Sequence, residues 1–357
     1  WGADVLKVEH PVLGDPGRMT SAWGVPSDVN GVSHLWEVVN RGKRAMTLNM
    51  KAPRAAEVLE RLVRRADVVL HSFLPATASR LGISYERFHA FNPRLVFCSI
   101  TGYGSDGPGA GRPGYDFAVQ ARAGWMAITG DPEGAPVKVG VAIVDVLTGQ
   151  NAAVAILAAL RERDRTGRGQ RVEVSLFDSA LAGLVNVTQA ALVTGREPVR
   201  WGNAHPTIVP YQAFAAADRP FVLAVGNDAQ WRRACAAIGA TALAADTRFA
   251  ANPGRVEHRA EISAALTELF QTRPAADWLA RLEAAGVPCA PVQSVGEALR
   301  DPIVTAREGL WTMEGPMYGQ VQTVASPLRF AETPAGLAWP APALGEHTEQ
   351  VVREGWG

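Results

Sequence analysis

Cysteine is scarce in this chain, with only Cys98, Cys235 and Cys289 among 357 residues. They are scattered, odd in number and set in apolar contexts such as Leu95-Val96-Phe97-Cys98. A disulfide framework is therefore excluded, and reduced core thiols in a cytoplasmic protein are expected. A cysteine nucleophile has no support. Net charge is missing as well: lysine plus arginine and aspartate plus glutamate number 35 each, so no overall field draws the chain to nucleic acid or an anionic membrane. Any anion site must be local. Uninterrupted apolar runs stay short of the roughly 18 residues of a membrane span, and no signal peptide or lipidation motif is visible. The seven histidines show no paired ligand spacing, so no metal site is expected. The Gly-x-Ser-x-Gly elbow of a serine hydrolase does not occur, and no Gly-x-Gly-x-x-Gly is expected after any strand, so a dinucleotide fingerprint has no support.

With 47% hydrophobic and 20% charged residues, the chain can bury a large core and divides most naturally into two domains. Its first half alternates β-rich and helical runs. Val5 to Val8, Ala45 to Leu48, Val68 to Phe73, Leu95 to Ile100 and Arg171 to Leu176 have strand composition, while Ala52 to Arg65 carries Ala56, Leu59, Leu62 and Val63 on one helical face. This alternation predicts an α/β fold with a parallel sheet. Around Glu197 to Pro210 the periodicity is lost and prolines gather, which marks a boundary. Beyond it, a strand over Phe221 to Val225 and helices over Trp231 to Ile238, Arg259 to Phe270 and Ala275 to Ala284 predict a smaller α+β unit. The expected organisation is a large domain over 1–185, a linker over 186–212, a small domain over 213–301 and a return over 302–357 that packs on the large domain.

One carboxylate stands out. Val137 to Val144 reads as an apolar strand that delivers Asp145 to the start of a helix over Val146 to Leu160. Burying an ionised carboxylate is costly without compensating donors, so the placement suggests either a helix cap or a nucleophile. Both predict an ionised group, whose basicity the positive end of a helix would lower. Two further features are local. The cations of Asn40-Arg41-Gly42-Lys43-Arg44 form either a solvated turn or a phosphate grip. Gly102-Tyr103-Gly104-Ser105-Asp106-Gly107-Pro108-Gly109 follows a strand, where open parallel sheets bind ligands, or is a long surface turn.

Nine segments recur in a familiar order along nearly the whole chain. They are Gly2 to Glu9, Asn40 to Arg44, Ala66 to Val69, Gly102 to Gly104, Arg112-Pro113-Gly114-Tyr115-Asp116, Thr166 to Gln170, Gly286 to Val292, Asp301-Pro302, and Leu344 to Thr348. Together they resemble the class III coenzyme A transferases of the CaiB/BaiF type, a family that includes formyl-CoA transferase and the α-methylacyl-CoA racemases. The resemblance implies a Rossmann-like large domain, a smaller α+β domain and an interlocked homodimer whose crossing segment is Leu181 to Pro210. It places the family's nucleophile at Asp145. The implied chemistry is transfer of CoA from an acyl-CoA substrate to a carboxylic acid through an aspartyl anhydride and an aspartyl-CoA thioester, with no permanently bound cofactor.

By the same resemblance, Tyr115 would orient the acyl group, and His10, Leu48, Lys51, Ser72, Phe73 and Arg80 would contact CoA. Relatives carry Asn where Ser72 stands, and they have a first strand and helix ahead of Gly2. The chain opens at Trp1 without a methionine, so an N-terminal piece is expected to be absent. The run Gly202 to Phe214 is similar to the branch that uses succinyl-CoA and dicarboxylic acids, which would set His205 on the acceptor's distal carboxylate. A racemase of this family needs a histidine where Tyr115 stands, and a phenol with a pKa near ~10 is a poor base at neutral pH. Transfer is therefore the expected reaction. The alternatives are α-proton exchange as in the racemases, or CoA binding without catalysis.

Overall fold

The computed structural model describes residues 2–19, 28–29, 32–315, 319–336 and 339–354. The chain forms two compact units, one made of residues 1–114, 147–179 and 298–357, the other of 115–146 and 180–297.

In the first unit, strand β1 (Val5–Glu9) runs parallel to β2 (Lys43–Thr47), pairing Val5 with Lys43 and Glu9 with Thr47. Helix α1 (Ala55–Arg65) starts three residues later than its apolar spacing predicts, because Asn49 to Ala55 close successive turns, Ala52 N–H to Asn49 C=O and Ala55 N–H to Ala52 C=O. Strand β3 (Val68–His71) then leads into two short helices, α2 (Pro75–Arg80) and α3 (Tyr85–Phe91), neither of which is foreseen from periodicity. Local chemistry explains both. Pro75 sits at the first turn of α2, where its missing N–H costs nothing, and Ser84 Oγ accepts the Arg87 N–H at 3.3 Å to cap α3. Strand β4 (Val96–Thr101) follows with Val96 to Ser99 all buried.

Helix α4 (Asp116–Arg122) belongs to the second unit, and α5 (Ile143–Thr166) starts there and continues into the first, where β5 (Arg171–Ser175) follows it. The three strands form a parallel sheet in the order β3-β4-β5, in accord with the alternation in the sequence. Val63, Phe88, Leu95 and Phe97 form a core against it. Helix α5 is long and apolar enough to cross a membrane by length and composition. Polar residues interrupt it: Asp145 stands in its first turn, and Asn151 donates through Nδ2 to Ser179 Oγ at 3.1 Å.

The loop after β4 has Gly-x-Gly-x-x-Gly spacing over Gly102 to Gly107, so the sequence does contain the pattern of a dinucleotide turn. No helix of ordinary length follows it. A single 3-10 turn, Gly107–Gly109, takes its place. Gly102 serves packing instead, since a Cβ on Gly114 would lie 2.3 Å from Gly102 Cα.

In the second unit, β6 (Tyr211–Ala215), β7 (Pro220–Ala224) and β8 (Cys289–Pro291) make an antiparallel sheet in the order β8-β7-β6. Helices α6 (Asp228–Ile238), α7 (Arg259–Phe270) and α8 (Ala275–Ala284) pack on it; Asn227 Oδ1 caps α6 by accepting the Gln230 N–H at 2.9 Å. Phe270 is the hub of the core, edge-on to Phe221, Phe214 and Trp278 at centroid distances of 4.9, 5.2 and 5.4 Å. Full burial of each such side chain stabilises by roughly 1.5–3 kcal/mol. Arg255 lies wholly inside, donating to the carbonyls of Val209 (2.8 Å) and Phe249 (3.0 Å) and to Asp228 Oδ1 (2.8 Å).

The final stretch belongs to the first unit. Strands β9 (Leu310–Gly315) and β10 (Gly319–Val324) form a hairpin. Later residues dock on β2: Trp339 Nε1 donates to the Lys43 carbonyl at 2.9 Å, the His347 N–H to the Ala45 carbonyl at 2.9 Å, and the Thr47 N–H to Thr348 Oγ1 at 3.0 Å.

Candidate active site

The apolar segment before Asp145 is not a strand. Residues 137–142 form irregular chain, with Val137 and Val141 exposed, and their backbone groups find partners outside any ladder. Val137 N–H reaches the Thr129 carbonyl at 3.4 Å, and Val139 N–H is accepted by Gln120 Oε1 at 2.9 Å. Helix α5 begins at Ile143, which puts Asp145 inside the first turn.

A helix start leaves several N–H groups without intrahelical acceptors. Here the acceptor is a carboxylate from α4. Asp116 Oδ2 takes the N–H of Val144 at 2.8 Å and of Asp145 at 3.3 Å, while Oδ1 takes Gln120 Nε2 at 2.6 Å. The cap expected of Asp145 is thus supplied by Asp116, and Asp145 is released from that duty. Among the described residues its carboxyl has no hydrogen-bond partner, and the residue is solvent-exposed.

Its basicity is also opposite to the expectation from a helix start. Partial desolvation raises the Asp145 pKa, and the neighbouring Asp116 charge raises it further. The negative charge already at the helix N-terminus occupies the place that would have favoured ionised Asp145. An exposed carboxylate with raised basicity and no partner is equipped to attack an electrophilic carbon.

Tyr115, directly before α4, is 75% exposed, and its side chain makes no capping bond. His205 lies in the loop ahead of β6. Its backbone N–H donates to the Tyr211 carbonyl at 2.9 Å, its Nδ1 accepts the Thr207 N–H at 3.2 Å, and its ring lies 5.3 Å from that of Tyr211. With Nδ1 an acceptor, the neutral ring carries its proton on Nε2. The residues that the structure joins to Asp145 are Asp116 and Gln120, which sequence reasoning did not single out. Their signal was available: an acid and an amide at i and i+4 share a helix face.

In the first unit, four of the six candidates for CoA contact directly follow strands. His10 follows β1 and its Nδ1 accepts the N–H groups of Val12 and Leu13, at 3.2 and 3.1 Å. Leu48 follows β2 and donates its N–H to the Glu9 carbonyl at 2.9 Å. Lys51 and Arg80 are exposed, Arg80 at the end of α2. Ser72 and Phe73 follow β3; the Phe73 N–H is held by His71 Nδ1 at 3.2 Å and its ring stacks on His71 with centroids 5.9 Å apart.

A cleft of about 290 Å³ opens between the ends of β3 and β4 and helices α2 and α3, lined by His71, Phe73, Tyr85, Phe97, Ser99 and Arg171 among others. Of the six candidates only Phe73 lines it. Ser99 Oγ is buried there without a partner among the described residues, and desolvation followed by the Arg171 charge lowers the His71 pKa. The basic cluster near residue 42 is neither a solvated turn nor a free phosphate grip. Arg44 pairs with Asp4, Arg41 donates to Thr323 Oγ1, and Lys43 Nζ donates to Asn40 Oδ1 at 3.2 Å. Among the described residues no three His, Cys, Asp or Glu side chains gather as for a metal ion.

This chain is similar to known proteins over its full length. The family described as CoA-transferase family III matches residues 1–348. A succinate–glutarate CoA-transferase of Agrobacterium fabrum is 40% identical over 99% of this chain and 89% of its own. The human succinyl-CoA:glutarate CoA-transferase is 35% identical over 99% of this chain and 80% of its own. A succinyl-CoA–D-citramalate CoA-transferase of Chloroflexus aurantiacus is 32% identical over 99% and 87%. The crystal structure of a CaiB/BaiF family protein from Brucella suis superposes with a TM-score of 0.87 at 40% identity, covering 99% of this chain and 92% of that one. The chain belongs to the class III CoA-transferases.

Proposed function

We propose that this enzyme moves CoA from succinyl-CoA to a dicarboxylic acid, with Asp145 as the nucleophile. The observation that carries the reading is the Asp145 carboxyl itself: exposed, without a hydrogen-bond partner among the described residues, raised in basicity and standing at a helix start already capped by another acid. Relatives named for succinyl-CoA and for glutarate, citramalate or mesaconate support the substrate class.

The steps balance without an external proton. Asp145 attacks the thioester carbon, the C–S bond breaks, and CoA leaves as thiolate with an aspartyl–succinyl anhydride left behind. The thiolate attacks the aspartyl carbonyl, giving an aspartyl-CoA thioester and free succinate. The acceptor carboxylate then displaces the thiolate to form a second anhydride. Thiolate attack on the acceptor's carbonyl yields the new acyl-CoA and restores Asp145. Donors for the oxyanions stabilise each tetrahedral step. In this reading Tyr115 orients the acyl group and His205 meets the acceptor's distal carboxylate through Nε2. Phe73 packs on CoA, with Ser72, Leu48 and His10 beside it and Lys51 and Arg80 on the phosphates.

We extend the reading to assembly and compartment. Val154 and Leu157 on α5 are 66% and 67% exposed, and Leu192 and Val193 are 81% and 75% exposed, which supports coverage by a second copy in an interlocked homodimer. Light scattering at micromolar concentration would give twice the chain mass. Cys98, Cys235 and Cys289 are all free, which supports a cytoplasmic setting.

The decisive test of the nucleophile is hydroxylamine trapping with succinyl-CoA as donor. A hydroxamate forms at residue 145 of the native enzyme, and none forms in Asp145→Ala, which also loses transfer. Full transfer by Asp145→Ala would end the assignment.

A further inference from the structure

Three hydrogen bonds connect α4 to the approach and first turn of α5, and a fourth within α4 links them. Val139 N–H donates to Gln120 Oε1 at 2.9 Å; Gln120 Nε2 donates to Asp116 Oδ1 at 2.6 Å; Val144 and Asp145 donate to Asp116 Oδ2 at 2.8 and 3.3 Å. Both ends of this chain of bonds are backbone N–H groups, which can only donate. That fixes every polarity between them. Gln120 must turn its oxygen to Val139 and its amide nitrogen to Asp116, and residue 116 must accept on both of its side-chain atoms. Gln120 is fully buried and Asp116 half-buried, so a donor facing a donor at the Gln120 amide would be costly.

We infer that Asp116 and Gln120 are positioning residues, a relay of fixed hydrogen-bond polarity that clamps residues 139–145 at both ends and aims the Asp145 side chain. The inference rests on Asp145 being the nucleophile and adds how its geometry is held. Asp116 is suited to this because one carboxylate serves two duties: it caps the first turn of α5 and it anchors Gln120. Gln120, one helical turn later on the same face, reaches the segment's other end. Without the relay, residues 139–142 have no sheet to hold them, and misplacement of a reacting group by an ångström costs on the order of 100-fold in rate.

The fixed polarity of these bonds allows positioning to be separated from simple loss of structure. In Asp116→Asn, one side-chain atom becomes an NH2 group. If the remaining oxygen serves Val144 and Asp145, the new nitrogen meets Gln120 Nε2; turning Gln120 over moves the conflict to the Val139 N–H. Adding Gln120→Glu removes the conflict. The carboxylate introduced at position 120 accepts both from Val139 and from the amide introduced at position 116, whose oxygen still caps the helix. Net charge is unchanged.

The expected result is a kcat about 100-fold lower in Asp116→Asn and within about 10-fold of the parent in Asp116→Asn/Gln120→Glu, with KM for succinyl-CoA moving little. Amide hydrogen exchange at Val139, Val144 and Asp145 should accelerate in the single variant and slow again in the double. A parental rate and parental exchange in Asp116→Asn would overturn the relay. So would recovered exchange without recovered rate in the double variant, because the charge at 116 would then itself be what the reaction uses. The two assignments fail separately: transfer retained by Asp145→Ala removes the nucleophile, whereas the exchange pattern decides the relay without reference to turnover.

Discussion

The backbone N–H of Asp145 lies 3.3 Å from Oδ2 of Asp116, the same oxygen that accepts the Val144 N–H at 2.8 Å. One carboxylate therefore holds the helix start from which a second projects, without a partner among the described residues, and the charge of the first resists ionisation of its neighbour.

That arrangement sets the pH dependence. In the proposed reaction attack requires ionised Asp145, and its pKa is raised above the ordinary 3.8 by desolvation first and by Asp116 second. As pH falls through the raised value the nucleophile is protonated, so the acid limb of kcat/KM should lie above 3.8 and move down in Asp116→Asn. A limb at or below that value in the native enzyme would contradict the assignment. The stability consequence has the matching sign: a folded pKa above the unfolded one adds stability at acid pH that is lost as pH rises through the folded pKa.

Gly114→Ala should destabilise the first unit. The new Cβ would lie 2.3 Å from Gly102 Cα, a backbone atom that no rotamer change can move aside. The expected cost is about 1–3 kcal/mol or more, read as a lower urea midpoint. An unchanged midpoint would show that the two glycine segments do not pack this closely in solution.

Arg255→Met should destabilise the second unit by about 3–5 kcal/mol. It strips donors from the carbonyls of Val209 and Phe249 and leaves Asp228 without its guanidinium. Arg255→Lys should recover only part, because a single ammonium cannot span three acceptors set in different directions. Calorimetry that finds either variant as stable as the parent would rule out this role for the buried arginine.

Phe73→Ala should raise KM for the acyl-CoA roughly 5- to 100-fold while leaving kcat within about threefold, as expected when a stacking wall worth about 1–3 kcal/mol to a nucleobase is removed. Phe73 is 43% exposed at the cleft and stacked on His71, so its loss leaves the core intact. An unchanged KM would remove Phe73 from the CoA site.

Much of the fold is written locally. Helix α8 spans Ala275–Ala284 as its spacing requires, α7 likewise covers Arg259–Phe270, and the strands around Cys98 and Val172 take the parallel arrangement that alternating elements demand. Short elements escaped because seven residues hold barely two turns of periodicity, as in α3, whose formation depends on the Ser84 cap. The segment over 137–142 escaped for a different reason. Its composition is that of a strand, yet no neighbouring strand is there to pair with it, and composition carries no information about neighbours.

By itself, the sequence determined the alternation of elements and the family, because periodicity and ordered motifs are properties of the chain. It also placed Asp145 at the start of a helix. Only the tertiary structure decided which carboxylate caps that helix and which is left free, since Asp116 and Val144 are 28 positions apart and meet only once α4 has docked. The same holds for Arg41, Lys43 and Arg44, whose charges looked available until Asp4, Asn40 and Thr323 were brought to them. A side chain's type is encoded locally; its partner, and hence its basicity and its freedom to react, is settled by folding.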